Sequence, residues 1–351
     1  MQKRCRIIYN PTSGREAMRN DLVDILTIME RSGYETSAYA TTPEPDSAKN
    51  EAIRAAKSGF ALIIAAGGDG TINEVVNGLA PLKKRPKLGI IPAGTTNDYA
   101  RALHIPLESP VEAARVIARG KTIKIDIGQA GDHYFANIAA GGLLTELTYS
   151  VPSELKSMFG YMAYLVKGAE LLPKIKPVDM HLEYDGGTYD GKASMFFLAL
   201  TNSVGGFEQI APDASLDDGK FTLIVVKTGN LLDLMKLAVK VFAGGNHIDD
   251  PSILYVKTSK LVAKTASERM MINIDGEYGG DAPMTFRNLK QHLEICANTD
   301  QLPETAVTTR TEVEQATRDE LMHEIADLDQ DEATRLQQEL DAKEQAQEKK
   351  N

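Results

Sequence analysis

The chain has 351 residues, enough for two domains with a core each, and a globular composition of 42% hydrophobic and 25% charged residues. Its net charge is −10, but −8 of that falls in residues 301–351, which hold 14 acidic and 6 basic side chains, so the body is near neutral. This balance argues against a dedicated nucleic-acid binder, which carries a basic footprint, and two cysteines in so long a chain argue against a disulfide scaffold.

Met1 to Cys5 runs into strand-forming sequence without the apolar core of a signal peptide, and no window reaches membrane-spanning length. Cytosolic placement is therefore expected. Residues 3–9 predict a first strand, which ends in the turn residues and short hydroxyls of Asn10-Pro11-Thr12-Ser13-Gly14. Leu22, Ile25, Leu26 and Met29 share helical spacing, and Gly33 stops that helix. A strand over 34–41 and a helix from about Ser47 to Ser58 follow.

The apolar run Ala61 to Ala66 reads as a parallel strand buried on both faces. It breaks at Gly67-Gly68-Asp69-Gly70, and Thr71 opens a helical pattern through Ile72, Val75, Val76 and Leu79. A strand, a glycine turn and a helix N-terminus together make an anion site. The glycines let backbone approach a phosphate, and the helix offers unpaired N–H groups. The pattern is neither the P-loop, which carries a lysine after its last glycine, nor the dinucleotide fingerprint. A short strand over 88–91 leads into Pro92-Ala93-Gly94-Thr95-Thr96-Asn97-Asp98. Strands alternating with helices predict a parallel sheet covered on both faces, and its ligands bind beyond the carboxyl ends of the strands. The loops 10–14, 67–71 and 93–98 share that address.

From about Lys121 strand patterns take over: 121–127, 134–139, 178–185, 193–202, 220–226, 253–257, 260–265, 269–275 and 291–297. Hairpin-type turns are expected at Asp185-Gly186-Gly187 and Asp218-Gly219, and helices at roughly 153–171 and 231–243. The fold class is thus α/β, an N-terminal three-layer domain with a parallel sheet plus a C-terminal β-sandwich. The expected division is 1–128, completed by about 290–300, then 129–290, then an acidic tail over 301–351. In that tail Leu321, Ile325 and Leu328 fit one side of a short helix, though a solvated tail is the default.

Taken in order, Asn10 to Gly14, Gly67 to Thr71, Pro92 to Asp98 and Asp275-Gly276-Glu277 resemble the diacylglycerol and sphingosine lipid kinases, and most of all the soluble diacylglycerol kinases of Gram-positive bacteria. The resemblance covers roughly residues 1–300. Gly-Gly-Asp-Gly alone is shared with NAD kinases and phosphofructokinases; the other motifs narrow the match. It implies ATP- and Mg²⁺-dependent phosphorylation of diacylglycerol to phosphatidic acid, in a cleft between two domains, by a homodimer that visits the inner face of the cell membrane.

The resemblance also assigns residues. ATP contacts fall on Asn10, Pro11, Thr12, Ser13, Gly14, Thr41, Gly68, Asp69, Gly70, Thr71, Ile72, Asn73, Glu74 and Thr95. Many relatives carry lysine after the first loop, where this chain has Arg15. Glu277 is the general base for the lipid hydroxyl; the local sequence reads equally as a β-hairpin turn. Asp69 organises Mg²⁺ or simply caps a turn, since a carboxylate in a phosphate turn would otherwise repel ATP. A structural Mg²⁺ is implied at Asp218, with backbone oxygens near Ser215 and Lys220; a plain solvated turn also fits. Asp98, Arg101, Asp126 and Lys167 are candidates on the substrate side or behind the site. The six histidines are scattered without ligand spacing, so zinc is not expected.

Leu155 to Pro173 carries Met158, Phe159, Tyr161, Met162, Tyr164 and Leu165 with interleaved Lys156 and Lys167, a pattern that suits either an anionic membrane surface or a core helix. The rivals are a kinase of another acceptor, such as a sphingoid, another lipid alcohol or NAD, and a silent nucleotide- or lipid-binding regulator.

Overall fold

In the computed structural model the chain divides into two compact units, Met1–Ala306 and Val307–Asn351. The structure describes residues 2–13, 17–142, 177–202, 210–227, 237, 248–266, 269–303 and 306–307, and every element below lies in the first unit. The predicted helices at 153–171 and 231–243, the segment 155–173 with Lys167, the positions Gly14 and Arg15, and the acidic tail fall outside these residues, apart from Leu237 and a few positions at 301–307.

The N-terminal part alternates as its hydrophobic pattern demands. It runs β1 (Lys3–Tyr9), α1 (Ala17–Arg31), β2 (Tyr34–Ala40), α2 (Ser47–Lys57), β3 (Leu62–Gly67), α3 (Asp69–Leu79) and β4 (Lys87–Pro92). All six residues of β3 are buried, because parallel neighbours β1 and β4 flank it and helices cover the sheet. Strand order β2-β1-β3-β4 moves one way from β1 to β2 and the other way from β2 to β3. Right-handed crossovers then place α1 on one face and α2 with α3 on the other, and the order reverses between β1 and β3. In open α/β sheets such a reversal opens a crevice at the strand carboxyl ends.

Two short elements complete this part. Helix α4 (Asp98–Ala102) has five residues, and α5 (Pro110–Ala118) was not expected from the sequence. Its signals are nonetheless local: Ser109 accepts the Glu112 N–H at 3.2 Å and Pro110 occupies the first turn. Helix α3 starts at Asp69, two residues ahead of the expected Thr71, with Gly68 as an extended N-cap.

The remaining strands are β5 (Thr122–Ala130), β6 (His133–Phe135), β7 (Ile138–Gly142), β8 (Val178–Tyr184), β9 (Gly187–Ala193), β10 (Met195–Ala199), β11 (Phe221–Val226), β12 (Ile253–Thr258), β13 (Lys260–Thr265), β14 (Met271–Ile274), β15 (Glu277–Asp281) and β16 (Met284–Cys296). β16 is the hinge of the topology. It pairs parallel to β4 at Ile295–Leu88, antiparallel to β5, and antiparallel to β13. One ten-stranded sheet therefore runs β2-β1-β3-β4-β16-β13-β8-β9, with β5 and β6 attached, and a six-stranded sheet runs β12-β11-β10-β7-β14-β15.

Four phenylalanines from both sheets lock the sandwich. Phe135 stacks on Phe221 at 5.6 Å, and Phe286 meets Phe135 and Phe196 edge-on at 6.5 and 5.9 Å. Glycines make the room: a Cβ at Gly128 would lie 2.1 Å from the Phe135 ring, and one at Gly141 would lie 2.2 Å from Phe196.

Asp185-Gly186 does turn a hairpin, between β8 and β9. Asp218-Gly219 does not; it ends the long connection between the paired strands β10 and β11. The single strand expected over 134–139 is two strands, because the N–H groups of Ala136, Asn137 and Ile138 turn to the Asp275 carboxylate. Cys5 and Cys296 are buried free thiols, pushed up to about 12 by burial, and so stay protonated.

Candidate active site

Register brings the predicted loops together. Tyr9 pairs with Ala40 and Ala66, and Gly67 pairs with Pro92, so β1 to β4 end on one line. Asn10 donates its N–H to Ala66 O at 2.9 Å, and its side-chain oxygen accepts the N–H and hydroxyl of Thr12 at 3.0 and 2.8 Å. That Asx turn carries Pro11, Thr12 and Ser13 past the edge. Thr41 joins them by donating its N–H to Tyr9 O at 2.8 Å.

Beside it, Gly68 caps α3 without a side chain, so the first-turn N–H groups of the helix lack a side-chain cap. Thr71 Oγ1 leans over Gly67, 2.5 Å from where a Cβ would stand. The third loop presses on the second, since a Cβ at Gly94 would lie 2.7 Å from Gly68 Cα. Asn97, in the left-handed region at φ 51°, clamps the Gly94 residue: its Oδ1 accepts Gly94 N–H at 2.8 Å and its Nδ2 donates to Gly94 O at 2.9 Å. Asn97 therefore does not cap α4, the ordinary role for such a residue, but shapes the loop before it. Thr95 is exposed at the loop tip. Gly94→Ala should force the two loops apart, with about 1–2 kcal/mol lost in stability; a thermal melt would read it.

Asp69 ties these loops. Its Oδ2 accepts the Thr96 hydroxyl at 2.7 Å and the Asn97 N–H at 3.1 Å. Burial raises its carboxyl pKa, and the nearby Asp98 charge adds to that rise while the two donors oppose it. Arg101 supports the same loop from behind through Thr96 O at 3.3 Å. A half-buried Asp69 with the charge of buried Asp98 close by suits a divalent cation. Among the described residues no group of three or more His, Cys, Asp or Glu could hold a metal, so such an ion would rely in part on phosphate oxygens brought by the nucleotide.

Asp275 joins the sandwich to this helix. Its carboxylate accepts Asn73 Nδ2 at 3.1 Å and the N–H groups of Ala136, Asn137 and Ile138 at 2.8–3.0 Å. Asn77, one turn further along α3, donates to Tyr134 O at 2.8 Å and accepts Tyr134 N–H at 2.9 Å. These contacts set the Asp275-Gly276-Glu277 turn beside the helix that carries Asp69. Glu277 itself is exposed.

Other expected residues lie elsewhere. Ile72 has its side chain in the core and donates its N–H to Gly68 O at 3.2 Å. Glu74 turns its carboxylate to the start of α2, accepting the Ala48 N–H at 2.8 Å and the Lys49 N–H at 3.4 Å, where Asp46 gives no cap. Glu74→Ala should thus cost about 1 kcal/mol, a Tm drop of about 2 °C, with ATP affinity unchanged. Weaker ATP binding at unchanged Tm would return Glu74 to the nucleotide.

Asp126 is 2% exposed and accepts the Gly219 N–H at 2.6 Å and the Gln291 N–H at 2.8 Å, where β16 departs from its register with β5. Burial raises its carboxyl to about 6. It fastens the 216–219 turn to the ten-stranded sheet and has no hydrogen bond to Asp69 among the described contacts. In that turn Asp218 Oδ1 accepts the Lys220 N–H at 2.8 Å, and its Oδ2 lies 3.6 Å from the Lys257 ammonium. The Ser215 hydroxyl points to Asp217 Oδ1 at 3.3 Å and Ala306 O at 3.4 Å. Both Asp218 carboxylate oxygens thus have a partner, the Lys220 N–H and the Lys257 ammonium, and these side-chain contacts do not bear on the backbone oxygens near Ser215 and Lys220.

Two family models match the chain: the diacylglycerol kinase catalytic domain over residues 4–130, and the YegS C-terminal NAD kinase beta sandwich-like domain over residues 147–297. A curated Bacillus subtilis (strain 168) protein described as diacylglycerol kinase is 53% identical over 293 residues, covering 84% of this chain and 96% of that one. The chain belongs to the diacylglycerol kinase family. Another member, from Staphylococcus haemolyticus and described the same way, is 51% identical over 300 residues, covering 86% of this chain and 90% of its own. A crystal structure of a diacylglycerol kinase from Bacillus anthracis str. Sterne aligns with a TM-score of 0.69 at 25% identity, covering 85% of this chain and 98% of that one.

Family membership brings the kinase reaction class with a lipid alcohol acceptor, and with it the use of a nucleotide. It fits the strand-end loops. Sequence reasoning missed Thr96, Asn97, Asp275 and Asn77 as shaping residues, although all four lie in or beside motifs it had singled out. No helix of the described residues is long and apolar enough to cross a membrane.

Proposed function

We propose that this chain is an ATP-dependent diacylglycerol kinase that converts 1,2-diacylglycerol to phosphatidic acid. The observation that carries this reading is the convergence of three loops at the β1/β3 reversal, with the Asp275-Gly276-Glu277 turn tied to the same helix by the Asn73–Asp275 bond. Residues 1–128 with the end of β16 form the nucleotide lobe, and 129–290 form the acceptor lobe.

The phosphates of ATP rest on the backbone of 68–71 and the 10–14 loop, with Thr41 and Thr95 at the rim. Asp69, with Asp98 nearby, would hold Mg²⁺ together with the nucleotide phosphates, and the ion would supply neutralisation of charge on the transferred group. Asp69 keeps the 94–97 loop closed over the phosphate site through Thr96 and Asn97. Glu277 accepts the proton of the acceptor hydroxyl as its oxygen attacks the γ-phosphorus and the bond to ADP breaks. The enzyme works in the cytoplasm as a homodimer and visits the membrane to meet its lipid.

The test is transfer of labelled γ-phosphate from Mg-ATP, offered separately to diacylglycerol in anionic mixed micelles, sphingosine, ceramide and NAD⁺. Label in phosphatidic acid is expected. Label in NADP⁺ or a sphingoid phosphate would move the acceptor, and ATP binding without any transfer would indicate a regulator.

A further inference from the structure

Asn137 stands where β7 begins and where β10 and β14 end. Its N–H goes to Asp275 Oδ1 at 3.0 Å, and its carbonyl accepts the Leu200 N–H at 2.9 Å. The Asp275 N–H in turn binds Ile138 O at 2.9 Å. Asn137 therefore lies at the end of the six-stranded sheet from which the Glu277 turn leaves, the end that Asp275 ties to Asn73 of α3. The residue is only 8% exposed. Its Oδ1 accepts the hydroxyl of the buried Thr201, which fixes the carboxamide. Its Nδ2 has no partner among the described residues, yet it is not sealed from solvent. A nearly buried amide left half used costs stability in the free protein, so a bound oxygen that meets its N–H groups would repair that loss.

We propose that Asn137 reads the acceptor lipid: its Nδ2 donates to the ester carbonyl next to the free hydroxyl of the diacylglycerol, and so favours ester-linked over ether-linked glycerides. This rests on the diacylglycerol kinase reading above. The nitrogen of a carboxamide only donates, so its ligand is an oxygen. Beside the free end of the glycerol a diacylglycerol offers two kinds, the hydroxyl and the neighbouring ester carbonyl. The hydroxyl oxygen needs its lone pair for the γ-phosphorus, and a donor placed on it would slow the attack. The carbonyl forms and breaks no bond, so a donor there holds the glycerol without that penalty. The contact is the same before and during transfer. It therefore acts on the KM for the lipid and leaves kcat alone.

The experiment measures transfer of labelled γ-phosphate from Mg-ATP to 1,2-dioctanoylglycerol and to 1,2-di-O-octylglycerol in mixed micelles of one composition. Wild type should favour the diester about tenfold in kcat/KM, the scale of one neutral hydrogen bond. Asn137→Ala should raise the diester KM by about the same factor and leave the diether KM and the ATP KM unchanged, so that the preference disappears. Each ratio is read within one preparation, so a smaller folded fraction cancels. An Asn137→Ala protein that still prefers the diester as wild type does would overturn the proposal. Equal kcat/KM for both acceptors in wild type would overturn it without any variant. Failure of wild type on both acceptors would instead remove the kinase reading, and the proposal with it.

Discussion

Glu277→Gln should lower the rate of phosphate transfer by about 10²- to 10⁴-fold while leaving the ATP Kd unchanged, the loss expected when a positioned base is removed. The side chain is exposed, so the swap should change stability by no more than about 0.5 kcal/mol. Rapid-quench transfer at saturating ATP and lipid, paired with an ATP titration, separates the two effects. The local geometry supports a large effect. Asp275 takes four N–H donors and fixes the turn on α3, so Glu277 leaves a rigid corner two residues later. An unchanged rate would mean that another group accepts the proton.

Asp275→Ala should be the most destabilising single change at the site. It would strand the N–H groups of Ala136, Asn137 and Ile138 and the Asn73 amide around a void. Leaving such part-buried N–H donors without their charged acceptor costs about 2–3 kcal/mol. The effect should appear in thermal and denaturant unfolding, and transfer should fall even where the protein remains folded, because the Glu277 corner loses its anchor. Asp275→Asn keeps one acceptor oxygen and should lie between. A variant with wild-type Tm would show that water replaces the carboxylate and that the turn is held by its backbone.

Much of this was legible in the sequence, for a physical reason. Glycines, prolines and short hydroxyls between an apolar strand and an amphipathic helix encode local geometry, and the three strand-end loops are local features. The β1/β3 reversal was not among them: right-handed crossovers fix the face of each helix once the strand order is known, and that order comes from β1 pairing with both β2 and β3. What was not legible depends on partners far along the chain. Asn73 and Asp275 are 202 residues apart, and nothing near either one announces the bond. The family resemblance put Glu74 among the ATP contacts, but in the fold it caps a helix 26 residues earlier. Asn97 stands at the N-cap position of α4, yet its left-handed backbone aims the amide back at Gly94. β16 was longer than its apolar stretch suggested, since its first half is half polar and gains its place by pairing with β5 and β13.

The central claim is that phosphate leaves ATP only to arrive on a diacylglycerol hydroxyl. The most direct measurement is the ratio of phosphatidic acid formed to ADP released, by phosphorus NMR of the lipid extract and an ADP assay on the same mixture of enzyme, Mg-ATP and diacylglycerol vesicles. The account predicts one phosphatidic acid per ADP, with both falling together in Glu277→Gln. ADP released without phosphatidic acid, or phosphatidic acid formed at an undiminished rate by Glu277→Gln, would contradict it.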